Sequence, residues 1–564
     1  MKPADIIYGV DEPVPLGRWL LLGLQQLFVC TIYLILTSII VQHAHLSDQV
    51  AQGIISRTLI IMGLATILQS FRRGPIGSGY LAPACVAIMY FSPSLKAISL
   101  GGLPLLLGML LIAGIIQMLF AFLIKSMRIL FPPVVTGLLY CAMGLDVGLM
   151  AIKKLINDPG SFIVNQNLDL IIFAITLFLI IALSVWGKEI VRLLCTILGL
   201  IIGGILAYFL GAFRPESLQQ IVHAKWFSLP LLENIGFRFD WILLPEFIIA
   251  GIAASLRTIG VISTCQQINN SDWKRPDYQS IKKGVFTDGL NVVLSGFFGA
   301  TGVGVSPSAV GVSKATGATS RYIAYSFGLS CLVFAMVPKF ASLFIGLPIS
   351  VAVAGLVFTS CILFVGGISI ITSREIDMRR TFIIGLTILL TISQFVFTGF
   401  FDGLPDFIKS VTSSGLTFAA VLAISLNLFF QIKKRQSYAL ELEEGSETAM
   451  ILSKMKEWKI PGDLFDGVEK TITNLTNLII NQKKNDGKLK LKLNYNEVDL
   501  WVSVSYRGAL PEFPKVIPIT TEHIIDEQVF FVGLSAIFKE IYPDKINVQT
   551  KDGLCQLDIC FFVN

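Results

Sequence analysis

Charged side chains are scarce in this 564-residue chain. Asp, Glu, Lys and Arg together make up 15% of it, where a soluble protein carries about a quarter. That scarcity excludes an ordinary soluble domain of this length. Histidine is rarer still, with four in all, and His43, His45 and His523 fall in no metal-ligand spacing and no nucleophile triad. The nine cysteines give no disulfide framework. Cys30, Cys85, Cys141, Cys195, Cys265, Cys331 and Cys361 lie in or beside apolar runs and read as small core residues. No metal, no resident cofactor and no enzyme activity are expected, because no pair of titratable groups or activated nucleophile stands out. The net charge of +6 forms no nucleic-acid stripe; the basic residues sit mostly at the ends of apolar runs.

What is abundant is apolar sequence: 54% of residues are hydrophobic and the mean hydropathy is +0.73. Apolar segments run at 17–41, 53–70, 101–126, 129–151, 168–186, 191–212, 241–263, 321–338, 345–369, 381–400 and 415–431. Glycine-rich, less apolar pieces fall at 77–92, 285–301 and 303–316. The expectation is an all-α polytopic membrane protein with fourteen transmembrane segments. The first apolar run follows a polar lead, 1–16, and reads as a retained helix with no cleavable signal peptide. A linker at 432–448 and a cytoplasmic α+β domain at 449–564 follow the membrane part, 17–431.

Two segments are too polar and too short for ordinary spanning helices. They are Gly77-Ser78-Gly79-Tyr80-Leu81-Ala82-Pro83-Ala84 and Gly302-Val303-Gly304-Val305-Ser306-Pro307-Ser308-Ala309. Each reads small-x-small, then proline, then a short helix of small residues, and each is the third segment in a set of seven. Broken helices at matching places in two halves point to a binding site at mid-membrane. Because seven is odd, the halves are expected to be inverted repeats with half-strand/half-helix segments 3 and 10. Exposed N–H groups and half-helix N-termini there suit polar or anionic ligands; packing for stability alone is the other reading. Close by in the sequence, segment 8 carries Arg257 with Ala253 and Ala254 one turn before it, so no acidic neighbour is supplied by its own helix. A charge at that depth faces a cavity, a partner or a substrate, or else snorkels to the interface beside Gln266 and Gln267.

With these residues in place, the chain resembles the nucleobase–cation symporter-2 family, the uracil/xanthine/ascorbate permeases, over residues 13–431. Leu22-Gly23-Leu24-Gln25-Gln26 is similar to the family's first-helix Gly-Leu-Gln-His. Phe286-Thr287-Asp288-Gly289-Leu290 with Gly296 and Gly299 is similar to its ninth segment, and Val310-Gly311 through Thr316-Gly317 to the end of its tenth-segment signature. The resemblance implies a core domain (segments 1–4 and 8–11), a gate domain (5–7 and 12–14), an elevator-type alternating-access mechanism and commonly a homodimer. It implies substrate contacts from Arg257, Tyr80, Ser308, Ala309 and Gln25, with Tyr80 stacking on the base or, alternatively, only packing. Three departures stand out. Gln26 replaces the usual histidine. Ser308-Ala309 replaces a polar residue followed by Asn. Arg257-Thr258-Ile259-Gly260 occupies the setting in which the family's eighth helix carries a substrate-binding glutamate, unless the alignment shifts one turn to Ala253. A carboxylate acceptor has become a cation with five donors. Glu246 and Asp288 are the candidates for coupling to H+ or Na+, with two bland alternatives: Glu246 as an N-terminal dipole partner, and Asp288 paired with Lys282 or Lys283.

In the tail, a helical spacing over 458–481, alternating strands at 489–493, 498–505 and 554–563, and a helix at 530–542 are expected. The pattern is similar to the ATP-binding domain of histidine kinases and anti-sigma factors. Ser505-Tyr506-Arg507-Gly508 lies where the nucleotide-holding Asp-x-Gly-x-Gly is expected, so the domain reads as degenerate and non-catalytic.

These observations converge on a secondary transporter for a purine-like nucleobase of the xanthine or urate type in the cell inner (plasma) membrane. Two alternatives stay open: an anion carrier similar to the sulfate permeases, and a membrane receptor that reports occupancy to a cytoplasmic partner through the tail. Lys and Arg are in excess in the loops that are inner if residue 1 starts inside. A reporter fused after Asn564 is therefore expected in the cytoplasm, and one inserted in 213–240 outside. An external C-terminal reporter would overturn the inverted-repeat scheme.

Overall fold

The computed structural model describes residues 2–157, 166–213, 219, 221–229, 236–401 and 411–431, apart from 45, 128–129, 189–190, 193, 272, 274–275, 374–375, 398–399 and 413. In the tail it describes 436–442, 447–458, 468–469, 472, 489–495, 499–507, 545–551 and 554–562. The chain divides into two units, 1–428 and 429–564.

The first unit is helical. Its elements are α1 (Leu16–Thr31), α2 (Leu34–His43), α3 (Asp48–Gln69), β1 (Ala84–Val86), α4 (Phe91–Met127), α5 (Pro133–Asn157), α6 (Gln166–Trp186) and α7 (Cys195–Phe209). The second half follows with α8 (Leu244–Asn269), α9 (Tyr278–Phe297), β2 (Val303–Val305), α10 (Pro307–Ala315), α11 (Ile323–Ala335), α12 (Pro338–Ile345), α13 (Ile349–Thr372), α14 (Met378–Val396) and α15 (Gly415–Gln431). Among the described residues eight helices are long and apolar enough to cross a membrane, or nine if α11 and α12, bent by 81°, form one span. This is a multi-pass membrane protein. Local chemistry sets the breaks. Gly102 (φ 69°) interrupts α4 just before Pro104, so a short helix from Phe91 precedes a long one. Ser306 caps α10, with Pro307 at its first position.

The helices sort into two groups. In one, α4 packs on α8 and α9, and α3 on α11. In the other, α5 packs on α13, which also meets α6 and α7. Small residues let α5 and α13 approach closely: a Cβ added to Gly367 would lie 2.5 Å from the Gly137 carbonyl oxygen.

The polar lead is not loose. Ile7 and Tyr8 donate backbone bonds to the Gly317 carbonyl, and Ile6 is buried beside Val261, Cys265 and Val310. Asp11 pairs with both Arg72 and Arg321. Lys2 bonds Glu12 and holds its carboxyl below the usual range.

The tail is an antiparallel sheet of β3 (Gln436–Leu442), β4 (Leu489–Tyr495), β5 (Asp499–Arg507), β6 (Lys545–Lys551) and β7 (Leu554–Phe562), in the order β3-β4-β5-β7-β6. One helix, α16 (Glu447–Glu457), is also described. Alternation made β4, β5 and β7 legible: Leu491, Leu493, Leu500, Val502, Val504, Leu557 and Ile559 are buried. Two corrections follow. The expected linker 432–448 contains an edge strand, β3, and β6 is an additional strand. The helix expected at 530–542 and nearly all of that at 458–481 lie outside the described residues.

Candidate functional site

The two interrupted segments meet. β1 and β2 pair antiparallel, with Ala84 opposite Val305, Cys85 opposite Gly304 and Val86 opposite Val303. Ser306 N donates to the Pro83 carbonyl and Ala87 N to that of Gly302, extending the ladder at both ends. Backbone outside a helix must find partners when water is absent, and here side chains supply what three residue pairs cannot. Ala84 N donates to Thr66 Oγ1 at 2.9 Å. Val305 N donates to Asp288 Oδ1 at 3.0 Å.

Asp288 is fully buried on α9. Its Oδ2 accepts from Gln117 Nε2 and from Thr258 Oγ1, each at 2.7 Å. Gln117 in turn accepts from the Tyr90 hydroxyl at 3.0 Å. The expected pairing of Asp288 with Lys282 or Lys283 is therefore overturned: the carboxylate points inward, and Lys282 lies over the Phe122 ring. The reason is that three elements, α4, α8 and β2, each bring it a donor.

Arg257 is 4% exposed, which excludes snorkelling to the interface. Its Nη2 lies 3.9 Å from Asp288 Oδ2, an ion pair too long for a hydrogen bond. Nε and Nη2 have no hydrogen-bond partner among the described residues. Leaving buried donors unpaired costs about 1–3 kcal/mol each, so this guanidinium is poised for an acceptor that the described residues do not provide. It lies against β2, where a Cβ on Gly304 would be 2.0 Å from Nη2.

Next to it is the N-terminus of α10. Ser306 Oγ lies 2.9 Å from Ser308 Oγ and accepts from Ala309 N at 3.4 Å. The Tyr33 hydroxyl, at the break between α1 and α2, lies 3.4 Å from Ser308 Oγ. Gln26, buried on α1, donates to Ser313 Oγ of α10 at 2.8 Å, while its Oε1 has no partner among the described residues. A buried cation beside a half-helix N-terminus favours ligands with carbonyl oxygens or negative charge.

The residues expected at the site divide. Arg257, Ser308 and Ala309 converge on β2 and α10. In the Gly-Leu-Gln-Gln stretch, the residue that reaches α10 is Gln26, whereas Gln25 is only half-buried. Tyr80 lies four residues before β1 and packs against two apolar clusters, one with Val261, Cys265 and Val305 of β2, the other with Ile262, Ile281 and Val285. The ring is thus packed against protein side chains from two clusters. Glu246 is buried and pairs with Lys96, so it has a cationic partner beyond any helix dipole. Gln117, Thr258, Tyr33 and Gly304 were not singled out from sequence. Gln117 and Thr258 carried a usable signal, since each is polar within a long apolar run.

The Permease family model matches residues 17–399. A putative purine permease of Clostridium perfringens is 25% identical over 442 residues, 78% of this chain and 95% of that protein. The xanthine permease XanP of Escherichia coli is 25% identical over 446 residues, 77% of this chain and 96% of that protein. The uric acid permease PucK of Bacillus subtilis is 26% identical over 422 residues, 74% of this chain and 96% of that protein.

Gly304→Ala drives a methyl into the Arg257 fork. The expected result is normal membrane insertion with ligand affinity reduced at least about tenfold, a loss of roughly 1.4 kcal/mol. Gly311→Ala, where an added Cβ meets nothing within 4 Å, is expected to bind as the unmodified protein does. Equilibrium binding to purified protein distinguishes the two.

Proposed function

The chain belongs to the nucleobase–cation symporter-2 permease family, and on that premise we propose that it carries a carbonyl-rich or acidic purine, xanthine or urate, across the cell membrane. The observation that carries the substrate class is Arg257. It is a buried donor with unpaired N–H groups in the setting where the family has an acceptor. Arginine donates and cannot accept, so it favours ring carbonyls and anionic bases over adenine or cytosine. Xanthine loses a ring proton near neutral pH and urate well below it, so both offer negative charge to Arg257 and to the N–H groups at the start of α10. The relatives named as xanthine and uric acid permeases agree with this choice. They also favour transport over the receptor and over a carrier of the sulfate-permease kind.

We take the mechanism to be alternating access, with α1–α4 and α8–α12 as the core and α5–α7 and α13–α15 as the gate. Inverted repeats are supported by corresponding contacts in the two halves. Thr66 of segment 2 receives the N–H of β1, as Asp288 of segment 9 receives that of β2. Gly63 meets Gly328 between segments 2 and 11, as Gly289 meets Gly114 between segments 9 and 4.

In uptake assays with labelled xanthine and urate, Arg257→Ala is expected to abolish transport with the protein still inserted. Arg257→Lys is expected to leave it weak, because a point charge lacks the planar fork. Transport by Arg257→Ala at the unmodified rate would remove the site assignment.

A further inference from the structure

The polar lead at 2–12 lies against the far end of α10 and contributes no group to the site described above. Its backbone runs beside the stretch from Gly317 to Arg321, which joins α10 to α11. Ile7 N and Tyr8 N donate to the Gly317 carbonyl at 2.8 and 2.9 Å, Thr319 N to that of Tyr8 at 2.9 Å, and Arg321 N to that of Val10 at 3.1 Å. The Ser320 hydroxyl donates to the Glu12 carbonyl at 2.6 Å, and the Thr319 hydroxyl to that of Tyr8 at 3.1 Å. Backbone that leaves a helix inside a membrane domain needs such partners, and the lead supplies them. Ile6 is 4% exposed and Ile7 62%, so one face of this strip turns inward. Ile6 shares a buried cluster with Val261 and Cys265 of α8, Val305 of β2 and Val310 of α10, and Tyr80 packs against the same cluster.

Asp11 extends the hold to both broken segments. Its Oδ2 accepts from Arg72 Nη1 at 3.0 Å, and its Oδ1 pairs with Arg321. Arg72 lies between α3 and β1, just before the first broken segment, and Arg321 between α10 and α11, just after the second. α10 has nine residues, too few to be a stable helix by itself, so its position is set by what holds its two ends. β2 and the Ser306 cap hold the end beside Arg257. The lead holds the other, and a loosened lead lets the first end drift from the place where it meets a ligand. Both ion pairs of Asp11 are partly open to solvent, and such pairs are individually weak. Removing them therefore shifts the position of α10 without unfolding the core.

We propose that residues 2–12 are a clamp that sets ligand affinity, with Asp11 and Ile6 as positioning residues that hold α10 in its binding place without touching the ligand. The proposal rests on the ligand site at Arg257 and α10 but not on which base is carried. It is tested on the full chain, purified and in proteoliposomes, with xanthine as the probe. Asp11→Ala is expected to raise both the binding Kd and the uptake KM at least threefold with Vmax within twofold. Asp11→Glu, which keeps a carboxylate for both arginines, is expected to restore them. Tyr8 and Ala318 stand opposite each other as a parallel pair. In the Asp11→Ala protein, joining Tyr8→Cys to Ala318→Cys with copper phenanthroline is expected to return Kd to the unmodified value. Ile6→Ser is expected to raise the rate at which N-ethylmaleimide alkylates Cys265, buried in the same cluster, at least tenfold; this readout needs no substrate. An unchanged Kd in Asp11→Ala, a lowered Vmax with KM retained, a Kd that the joined lead does not restore, or an unchanged Cys265 rate would each overturn the clamp. Failure of the unmodified protein to bind or take up any purine would instead overturn the substrate reading, and the Cys265 measurement would still decide whether the lead closes this cluster.

Discussion

Two pieces of extended backbone, three residues each, pair in the buried interior of this protein. Their antiparallel register uses some of the N–H and C=O groups and leaves the outer-facing ones to side chains. Asp288 closes this arrangement. It accepts from Val305 N and at the same time from Gln117 and Thr258, so one carboxylate ties α4, α8, α9 and β2 together. Removing any of these partners would strand a buried polar group, which costs more than the bond itself contributes. Hence the half-helices start where they do, and the residues at their ends are held in fixed places.

Arg257 has meaning only against that frame. Its charge is tolerated because Asp288 is within 4 Å, yet the facing oxygen, Oδ2, already accepts from two neutral donors. The ion pair thus offsets the burial of charge without consuming the guanidinium's directional bonds. Two donors are left for something else, and Gly304 leaves them room. Buried ion pairs rarely add net stability. Here the geometry suits recognition better than it suits folding, in keeping with a family whose members carry small ring compounds with hydrogen-bonding edges.

The two helix groups are each held together by close backbone packing. Within each group, backbones approach at small residues, as Gly137 does against Gly367 and Gly114 against Gly289. Such contacts resist shear because interdigitated backbones have few alternative registers.

Sequence by itself determined the class of the protein and much of its plan. Long apolar runs admit only helices in a bilayer, and Gly-x-Gly followed by proline marked both broken segments. The cost of charge in hydrocarbon singled out Arg257. Alternation also exposed three of the tail's strands. What sequence could not decide was which side chains meet. Asp288 looked like a partner for Lys282 because they are neighbours in the chain. Its real partners come from segments 4, 8 and 10, and nothing in a single sequence states those distances. Tyr80 stands out in the sequence because it sits in the broken segment, and the fold seats its ring against Val261, Cys265 and Val305, neighbours that only packing could supply. Strand β3 was hidden in a linker because an edge strand is recognised by the neighbour it pairs with. Local chemistry is written along the chain. Partnership across helices is settled only when packing fixes their order and rotation.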